Sequence, residues 1–160
     1  PFIGIDVVNV KSAADMAEAV AARSEASDIV VMCSAVADYT PTHYSAQKVK
    51  KSDGELSIPL ARTTDILHTL GMKKKEGQML VGFSMETENL IENSRKKLSK
   101  KNADIICANT IADGGDTGFA VDTNQVTLIT ETEVITLPLC TKEETADLIL
   151  SHIVELQKEK

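Results

Sequence analysis

DIVVMCSAVADYTPTHYSAQKVKK, residues 28–51, is the stretch that decides the fold of this chain. Residues 29–33 form a nearly continuous apolar run, which predicts a strand covered on both faces, as in a parallel sheet with helices on each side. Because ligands of open α/β sheets bind beyond the carboxyl ends of the strands, Asp38 and the loop after it are expected at a binding site. The charges of Lys48, Lys50 and Lys51 suit a phosphate, although a solvated lysine loop explains the same residues equally well.

The composition excludes several classes of protein. A chain of 160 residues is predicted to form one domain, residues 1–160, and its net charge of -7 argues against a nucleic-acid partner. Cys33, Cys107 and Cys140 lack the spacing of metal ligands and lie in apolar surroundings, so they are interpreted as reduced core thiols. No apolar run is long enough to span a membrane and residues 1–10 lack a secretory signal, so we expect a cytoplasmic protein without a membrane partner.

Strand and helix signals alternate over the first two thirds of the chain. This alternation predicts an α/β fold with a Rossmann-like, mostly parallel sheet and helices on both faces. Strands are predicted at residues 5–10, 28–35, 79–85 and 103–109, with a short exposed strand at 55–60. Helices are predicted from a capping box of Ser12 with Asp15, from a Thr64 cap to near Gly77, and over about 88–100 with Ile91, Ser94 and Leu98 on one face and Asn102 as terminator.

The last third of the chain has a different pattern. Residues 125–130 and 133–137 are typical of an antiparallel hairpin, and Thr141 with Glu144 forms a capping box for a final helix. The glycine-rich segment ADGGDTG, residues 112–118, matches no phosphate-binding motif, so a connecting loop is favoured. The final helix is predicted to have a wide apolar stripe of Ile149, Leu150, Ile153, Val154 and Leu156.

A second group of lysines lies in SRKKLSKKN, residues 94–102. On a helix, Lys96 pairs with Lys100 and Lys97 with Lys101, and like charges four residues apart repel. A bound anion would remove this conflict, whereas a solvated basic helix end is the alternative. Phe83 ends a predicted strand near the same edge, where a base could lie against its ring, although a core phenylalanine is the commoner case.

Seven motifs together resemble one known family. They are SAVADYTP at 34–41, KVKK at 48–51, TDIL at 64–67, VGFSMET at 81–87, KKLSKKNADIICAN at 96–109, TGFAVDTN at 117–124 and LPLCTKEETADLILSHIV at 137–154. In order and spacing they resemble bacterial phosphopantothenoylcysteine synthetase (phosphopantothenate-cysteine ligase), the synthetase domain of bifunctional coenzyme A biosynthesis proteins. The resemblance implies that CTP activates 4′-phosphopantothenate as an acyl-cytidylate with loss of pyrophosphate. Cysteine then attacks through its amine, which gives the amide and CMP.

The same resemblance implies site residues, cofactors and partners. A homodimer is implied, with Mg²⁺ on the CTP phosphates and FMN only where a decarboxylase domain is fused upstream. The family's N-terminal strand, helix and strand, with an Asn-bearing loop, have no counterpart before Pro1, so the chain is interpreted as a fragment of the synthetase domain. The implied CTP contacts are Asp38, Lys48, Thr64, Asp65, Ile66, Leu67, Phe83, Lys97 and Lys101, with Lys48 also catalytic.

Two other functions fit the fold class. A nicotinamide-dependent oxidoreductase shares the α/β pattern, but it needs a glycine turn that this sequence does not contain. A catalytically silent nucleotide-binding or dimerisation module would keep the CTP contacts without turnover.

Overall fold

A five-stranded sheet with helices on both of its faces forms the centre of the molecule. The computed structural model describes residues 4–43, 45–48, 57–110 and 121–158, with Thr110 described by its backbone alone. In chain order the elements are α1 (Ala13–Ser24), β1 (Ile29–Met32), β2 (Tyr39–Pro41), β3 (Leu60–Arg62), α2 (Ile66–Lys73), β4 (Met79–Glu86), α3 (Leu90–Lys101), β5 (Ile105–Thr110), β6 (Thr123–Asn124), β7 (Thr127–Ile129), β8 (Val134–Thr136), β9 (Cys140–Thr141) and α4 (Lys142–Lys158).

The order of strands in the sheet is β1-β4-β5-β7-β8. β1, β4 and β5 are parallel, with Ile29 opposite Met79 and Val81 opposite Ile105. β7 joins β5 in the antiparallel sense, and β8 completes the hairpin predicted at the C-terminal end. The predicted mostly parallel α/β sheet with an antiparallel hairpin is therefore confirmed.

Alternate residues of β4 point to two different helix layers, as the period of a strand requires. Leu80 packs with Ile66 and Leu70 on the face that carries α1, α2 and α3. Met79 and Val81 belong to the cluster on the opposite face, where α4 supplies the buried side chains of its inner face. Helices cover both faces of the sheet, as predicted. The carboxyl ends of the parallel strands are therefore left open to a ligand, and we refer to this end as the carboxyl edge of the sheet.

Hydrogen bonds at the helix ends confirm three predicted signals. The Ser12 hydroxyl accepts from the Asp15 amide while the Asp15 carboxylate accepts from the Ser12 amide. The same reciprocal pair joins Thr141 and Glu144 at the start of α4. Asn102 ends α3 in the left-handed conformation with φ of 49°, which an asparagine tolerates better than most residues.

The start of α2 differs from its prediction by one residue. Asp65, rather than Thr64, is the cap, because its carboxylate accepts from the His68 amide at 3.0 Å. A carboxylate also interacts favourably with the partial positive charge of a helix N-terminus. α2 ends at Lys73, before Gly77, which turns the chain with φ of +77°.

The predicted strand at residues 5–10 is wrong. No strand includes these residues, and the Val7 side chain is 77% exposed. An apolar segment rich in β-branched residues predicts a strand but does not supply a partner for its hydrogen bonds. β1 is consequently the last strand on its side of the described sheet. Val31 and Cys33 are exposed, and the strand ends at Met32, so the longer and doubly covered strand predicted at residues 28–35 is also corrected.

Of the short strand predicted at residues 55–60, residues 55 and 56 lie outside the described residues, and residues 57–59 are not in a strand. The observed strand is β3, which pairs with β2 in an antiparallel ribbon that the sequence did not predict. All six ribbon residues are exposed, and the Arg62 guanidinium lies 5.9 Å from the centre of the Tyr39 ring. A cation–π contact of this kind helps to hold a ribbon that buries little.

Two helices bury fewer apolar residues than predicted. On α3, Ser94 and Leu98 are buried but Ile91 is 48% exposed, because Leu90 takes its place in the core. On α4, Ile149 and Ile153 are buried whereas Leu150 and Val154 are exposed. The glycine-rich segment 112–118 lies outside the described residues. Among the helices that are described, none combines the length and apolar character needed to cross a bilayer.

Candidate functional site

A cavity of about 220 Å³ lies at the carboxyl ends of β1 and β4. Its walls come from the loop after β1, the segment that leads from β3 into α2, and the inner face of α3. We call it the first cavity. It brings together eight of the nine residues predicted from the sequence: Asp38, Thr64, Asp65, Ile66, Leu67, Phe83, Lys97 and Lys101.

Lys48 is the ninth predicted residue, and it does not line the first cavity. Its side chain is exposed, in the connection between β2 and β3. Lys50 and Lys51, which share its motif, lie outside the described residues. The catalytic role assigned to Lys48 therefore stays a prediction.

The base of the β2–β3 ribbon fixes one wall of the first cavity. The Thr63 amide donates to the Asp38 carbonyl at 2.9 Å, and the Thr63 hydroxyl donates to the Ala37 carbonyl at 2.6 Å. These bonds hold the segment after β1 against the segment before α2. Asp38 and Thr64, which lie 26 positions apart in the sequence, thus reach the same cavity.

Lys101 enters the first cavity from the last turn of α3 and forms an ion pair with Asp65. Burial acts to raise the pKa of Asp65, but hydrogen bonds from the Lys101 ammonium and the His68 amide outweigh burial and hold the pKa below its usual range. Asp65 therefore caps α2 and neutralises a cavity lysine at the same time.

Lys97 lies one turn earlier on α3 and has its own carboxylate partner. Its ammonium donates to the Ser84 hydroxyl at 2.9 Å and lies 2.7 Å from the Glu86 carboxylate. Burial acts to raise the pKa of Glu86, but hydrogen bonds from Lys97 and Ser84 outweigh it, so the pKa is lowered and Glu86 stays ionised near neutral pH.

The two lysine pairs of α3 separate into an inner and an outer set. Lys97 and Lys101 line the first cavity, whereas Lys96 pairs with Glu92 at 2.7 Å on the exposed side and Lys100 is exposed. Carboxylates of the chain itself offset the repulsion of Lys97 and Lys101, because Lys97 pairs with Glu86 and Lys101 pairs with Asp65.

Gly71 sets the distance between α2 and α3. A Cβ atom at this position would lie 1.8 Å from the Lys101 carbonyl oxygen, so the two helices touch backbone to backbone here. The Asn102 amide group also donates to the Gly71 carbonyl at 2.8 Å. This contact places Lys101 within reach of Asp65.

A second cavity, of about 470 Å³, opens on the α4 side of the same edge. Ser34 and Phe83 line both cavities, so the two adjoin. Most of its wall is apolar, and its polar residues are Ser34, Ser84, Asn109, Asn124, Lys142 and Thr145. The Asn124 Oδ1 atom is buried and lacks a hydrogen-bond partner among the described residues. An apolar chamber with a few convergent polar groups is typical of a small-molecule site.

Comparison with known proteins identifies the family. The family model described as DNA/pantothenate metabolism flavoprotein C-terminal domain matches residues 1–156. The chain belongs to this family. It is 45% identical over 155 residues to the coenzyme A biosynthesis bifunctional protein CoaBC of Bacillus subtilis (strain 168), covering 96% of this chain and 38% of that protein.

Two further matches extend the comparison to a curated relative and to a solved structure. A cysteine/cysteine sulfinic acid decarboxylase from an unknown prokaryotic organism is 42% identical, covering 95% of this chain and 42% of that protein. A crystal structure of the C-terminal domain of a CoaBC protein matches with a TM-score of 0.80 and 39% identity, covering 100% of this chain and 70% of that one. The chain thus spans about two fifths of the length of the first two relatives. The family identified from the sequence motifs is confirmed.

Sequence reasoning missed Glu86. Glu86 is the last residue of β4, and the motif VGFSMET contains both it and Ser84. A carboxylate at the carboxyl end of a buried strand is a recognisable signal, because that edge is where ligands bind. The second cavity had no such signal, since its walls come from five separated segments.

The cysteines of the domain have three different environments. Cys107 is buried, and burial raises the pKa of its thiol to about 12. Cys140 is half-buried beside the Thr145 hydroxyl at 3.2 Å. Cys33 is exposed and lines the second cavity, so the prediction that all three are core thiols is wrong for Cys33. It is wrong because β1 ends one residue before Cys33.

The described residues could accommodate a Mg²⁺ ion that is coordinated mainly by the phosphates of a nucleotide. Among them no group of three or more histidine, cysteine, aspartate or glutamate side chains could hold a metal. Asp65 and Glu86 are already paired with lysines. Magnesium on nucleotide phosphates commonly uses few protein ligands, so a metal carried by the nucleotide is compatible with this site.

Proposed function

We propose that this domain joins 4′-phosphopantothenate to cysteine at the expense of CTP, through an acyl-cytidylate, in coenzyme A biosynthesis. The single observation that carries the proposal is the assembly of eight predicted CTP contacts around one cavity. The CoaBC relative that is 45% identical to this chain supports the pathway. The homodimer and any FMN-dependent decarboxylase fused upstream remain predictions from the resemblance.

The first cavity suits a nucleoside triphosphate. Lys97 and Lys101 lie at its wall, where ammonium groups can donate to phosphate oxygens. Ile66, Leu67 and Phe83 supply apolar surface for a base and sugar. Mg²⁺ on the phosphates would neutralise part of their charge and polarise the α-phosphate.

The second cavity suits the other two substrates. It is about twice the volume of the first and adjoins it at Ser34 and Phe83, so an extended acid can reach the nucleotide from there. The carboxylate oxygen of 4′-phosphopantothenate attacks the α-phosphorus of CTP, and the bond to pyrophosphate breaks. The neutral amine of cysteine then attacks the acyl carbon, CMP leaves, and the nitrogen loses one proton.

The first test of the proposal is nucleotide choice. We expect isothermal calorimetry to give tighter binding for CTP than for ATP, because a polar group left unpaired by the wrong base costs more than an apolar mismatch. Pyrophosphate should be released only when CTP and 4′-phosphopantothenate are both present. Equal affinity for the two nucleotides would contradict the proposal, and NAD binding would favour an oxidoreductase. CTP binding without pyrophosphate release would indicate the silent module.

The role of Lys48 is tested by the variant Lys48→Gln in the protein at its natural length. We expect turnover at saturating CTP to fall by about tenfold or more while CTP affinity changes less, because the contact is proposed to strengthen as charge builds at the α-phosphate. Pyrophosphate release and calorimetry measure the two quantities. An unchanged turnover would remove Lys48 from the catalytic residues.

Cys33 is a probe of the second cavity. We expect iodoacetamide at pH 8 to modify Cys33 in the folded protein while Cys107 stays unmodified, since Cys107 is buried and its thiol has a pKa of about 12. With CTP present, 4′-phosphopantothenate should slow the modification of Cys33. Peptide mass spectrometry measures both rates. A Cys33 rate that is the same with and without this substrate would place the substrate elsewhere.

A further inference from the structure

The Glu86 carboxylate is firmly held beside the first cavity. One of its oxygens accepts from the Ser84 hydroxyl at 2.5 Å and lies 2.7 Å from the Lys97 ammonium. The other accepts from the Asn93 amide group at 3.3 Å. Its side chain is only 11% exposed. Donors from β4 and from the first turn of α3 thus fix this carboxylate at the end of its strand.

Lys97 is held between Ser84 and Glu86 and still faces the first cavity. A lysine ammonium has three N–H donors. Ser84 and Glu86 take two of them, which leaves one for a ligand. Because two fixed acceptors define the orientation of the ammonium, the direction of the third N–H is defined as well.

We propose that Glu86, together with Ser84, is a positioning residue that aims the remaining N–H of Lys97 at the phosphates of the bound nucleotide. The inference rests on the nucleotide site proposed above. Glu86 places a negative charge next to the phosphates, which weakens the attraction of a polyanion. Glu86 also restricts the rotamers of the Lys97 side chain. The hydrogen bond from Lys97 to the reacting phosphate can then form without rearrangement of that side chain.

The opposing effects on binding and turnover give the test its readout. In Glu86→Gln one negative charge is lost beside the phosphates, so we expect CTP to bind about threefold more tightly than it binds the wild type. Lys97 is no longer held by a charge, so we expect turnover in pyrophosphate release to fall by about tenfold or more. General damage to the fold would instead lower affinity and turnover together.

The same helix provides a matched control. Glu92 pairs with Lys96 at 2.7 Å, the same distance as the Glu86–Lys97 pair, but Glu92 is 66% exposed and lies outside both cavities. Glu92→Gln makes the same chemical change, and we expect affinity and turnover to stay within about twofold of the wild type. Ser84→Ala removes the second anchor of Lys97 without a change of charge, so it should lower turnover and leave the affinity for CTP unchanged.

Three results would overturn the inference. The first is a Glu86→Gln variant with the same CTP affinity and the same turnover as Glu92→Gln. The second is a Glu86→Gln variant whose CTP affinity and turnover fall by the same factor. The third is a Ser84→Ala variant with wild-type turnover. If the wild-type protein releases no pyrophosphate, the proposed function fails by itself. Calorimetry with inorganic tripolyphosphate then decides the positioning role: tighter binding by Glu86→Gln than by Glu92→Gln supports it, and equal binding overturns it.

Discussion

The double variant Lys97→Gln/Lys101→Gln is expected to lose most of its affinity for CTP. Both ammonium groups line the first cavity, and hydrogen bonds from charged donors contribute about 1.5–3 kcal/mol each. Since carboxylates already neutralise both lysines, we take the lower part of that range, so the loss is about 3 kcal/mol, or roughly a hundredfold in the dissociation constant. Calorimetry with CTP measures the change.

Lys96→Gln/Lys100→Gln is the matched control for this variant. It removes the same two charges from the same helix and also breaks one lysine–glutamate pair, but both residues lie on the exposed side. Its affinity for CTP should stay within about threefold of the wild type, because exposed charges are screened by salt. Equal losses in the two double variants would mean that only the overall charge of α3 matters.

The free energy of unfolding gives a second readout of the same pair. Repulsion between lysines predicts that their replacement is neutral or slightly stabilising. The ion pairs with Asp65 and Glu86 reverse this expectation for Lys97→Gln/Lys101→Gln, which should be less stable than Lys96→Gln/Lys100→Gln. Urea unfolding without ligand compares them.

Gly71→Ala is expected to have the largest effect on stability. The new Cβ would lie 1.8 Å from the Lys101 carbonyl oxygen, so the backbones of α2 and α3 must move apart. Alanine favours a helix over glycine by about 1 kcal/mol, but overpacking against a backbone atom costs about 3 kcal/mol, so we expect a net loss of about 2 kcal/mol in the free energy of unfolding. Urea unfolding measures it.

The neighbouring residue Met72 supplies the control for Gly71. Its side chain is 74% exposed, so Met72→Ala should change the free energy of unfolding by less than about 0.5 kcal/mol. Gly71→Ala should also weaken CTP binding, because the displaced α3 carries Lys101 away from Asp65. A Gly71→Ala variant as stable as the wild type would show that the two helices are not in direct backbone contact.

Much of the fold is predictable from the sequence because its signals are local. Alternating strand and helix patterns, with capping boxes at Ser12 and Thr141, define the α/β class and the C-terminal hairpin. β4 is apolar from Met79 to Phe83, because both of its faces pack against helices. The resemblance adds residues from four segments that converge on the first cavity.

Features that depend on distant partners were not predictable in this way. Residues 5–10 have the β-branched composition of a strand, but strand formation needs a neighbour that the local sequence does not supply. Ile91 is exposed because the orientation of α3 on the sheet selects Leu90 instead. Glu86 became recognisable as a partner of Lys97 only once β4 and α3 were placed side by side.

The position of Phe83 in the walls of both cavities has a consequence for how the domain can change. Most lining residues border only one of the two cavities. Replacements on α4 can therefore change the shape of the second cavity and leave the walls of the first cavity as they are. Phe83 borders both cavities, so a smaller side chain at this position would enlarge both of them. We then expect the Michaelis constants of two proposed substrates to change together. With the substrates placed as proposed, variation at position 83 would be constrained by two ligands, whereas variation at Lys142 or Ala146 would be constrained by one.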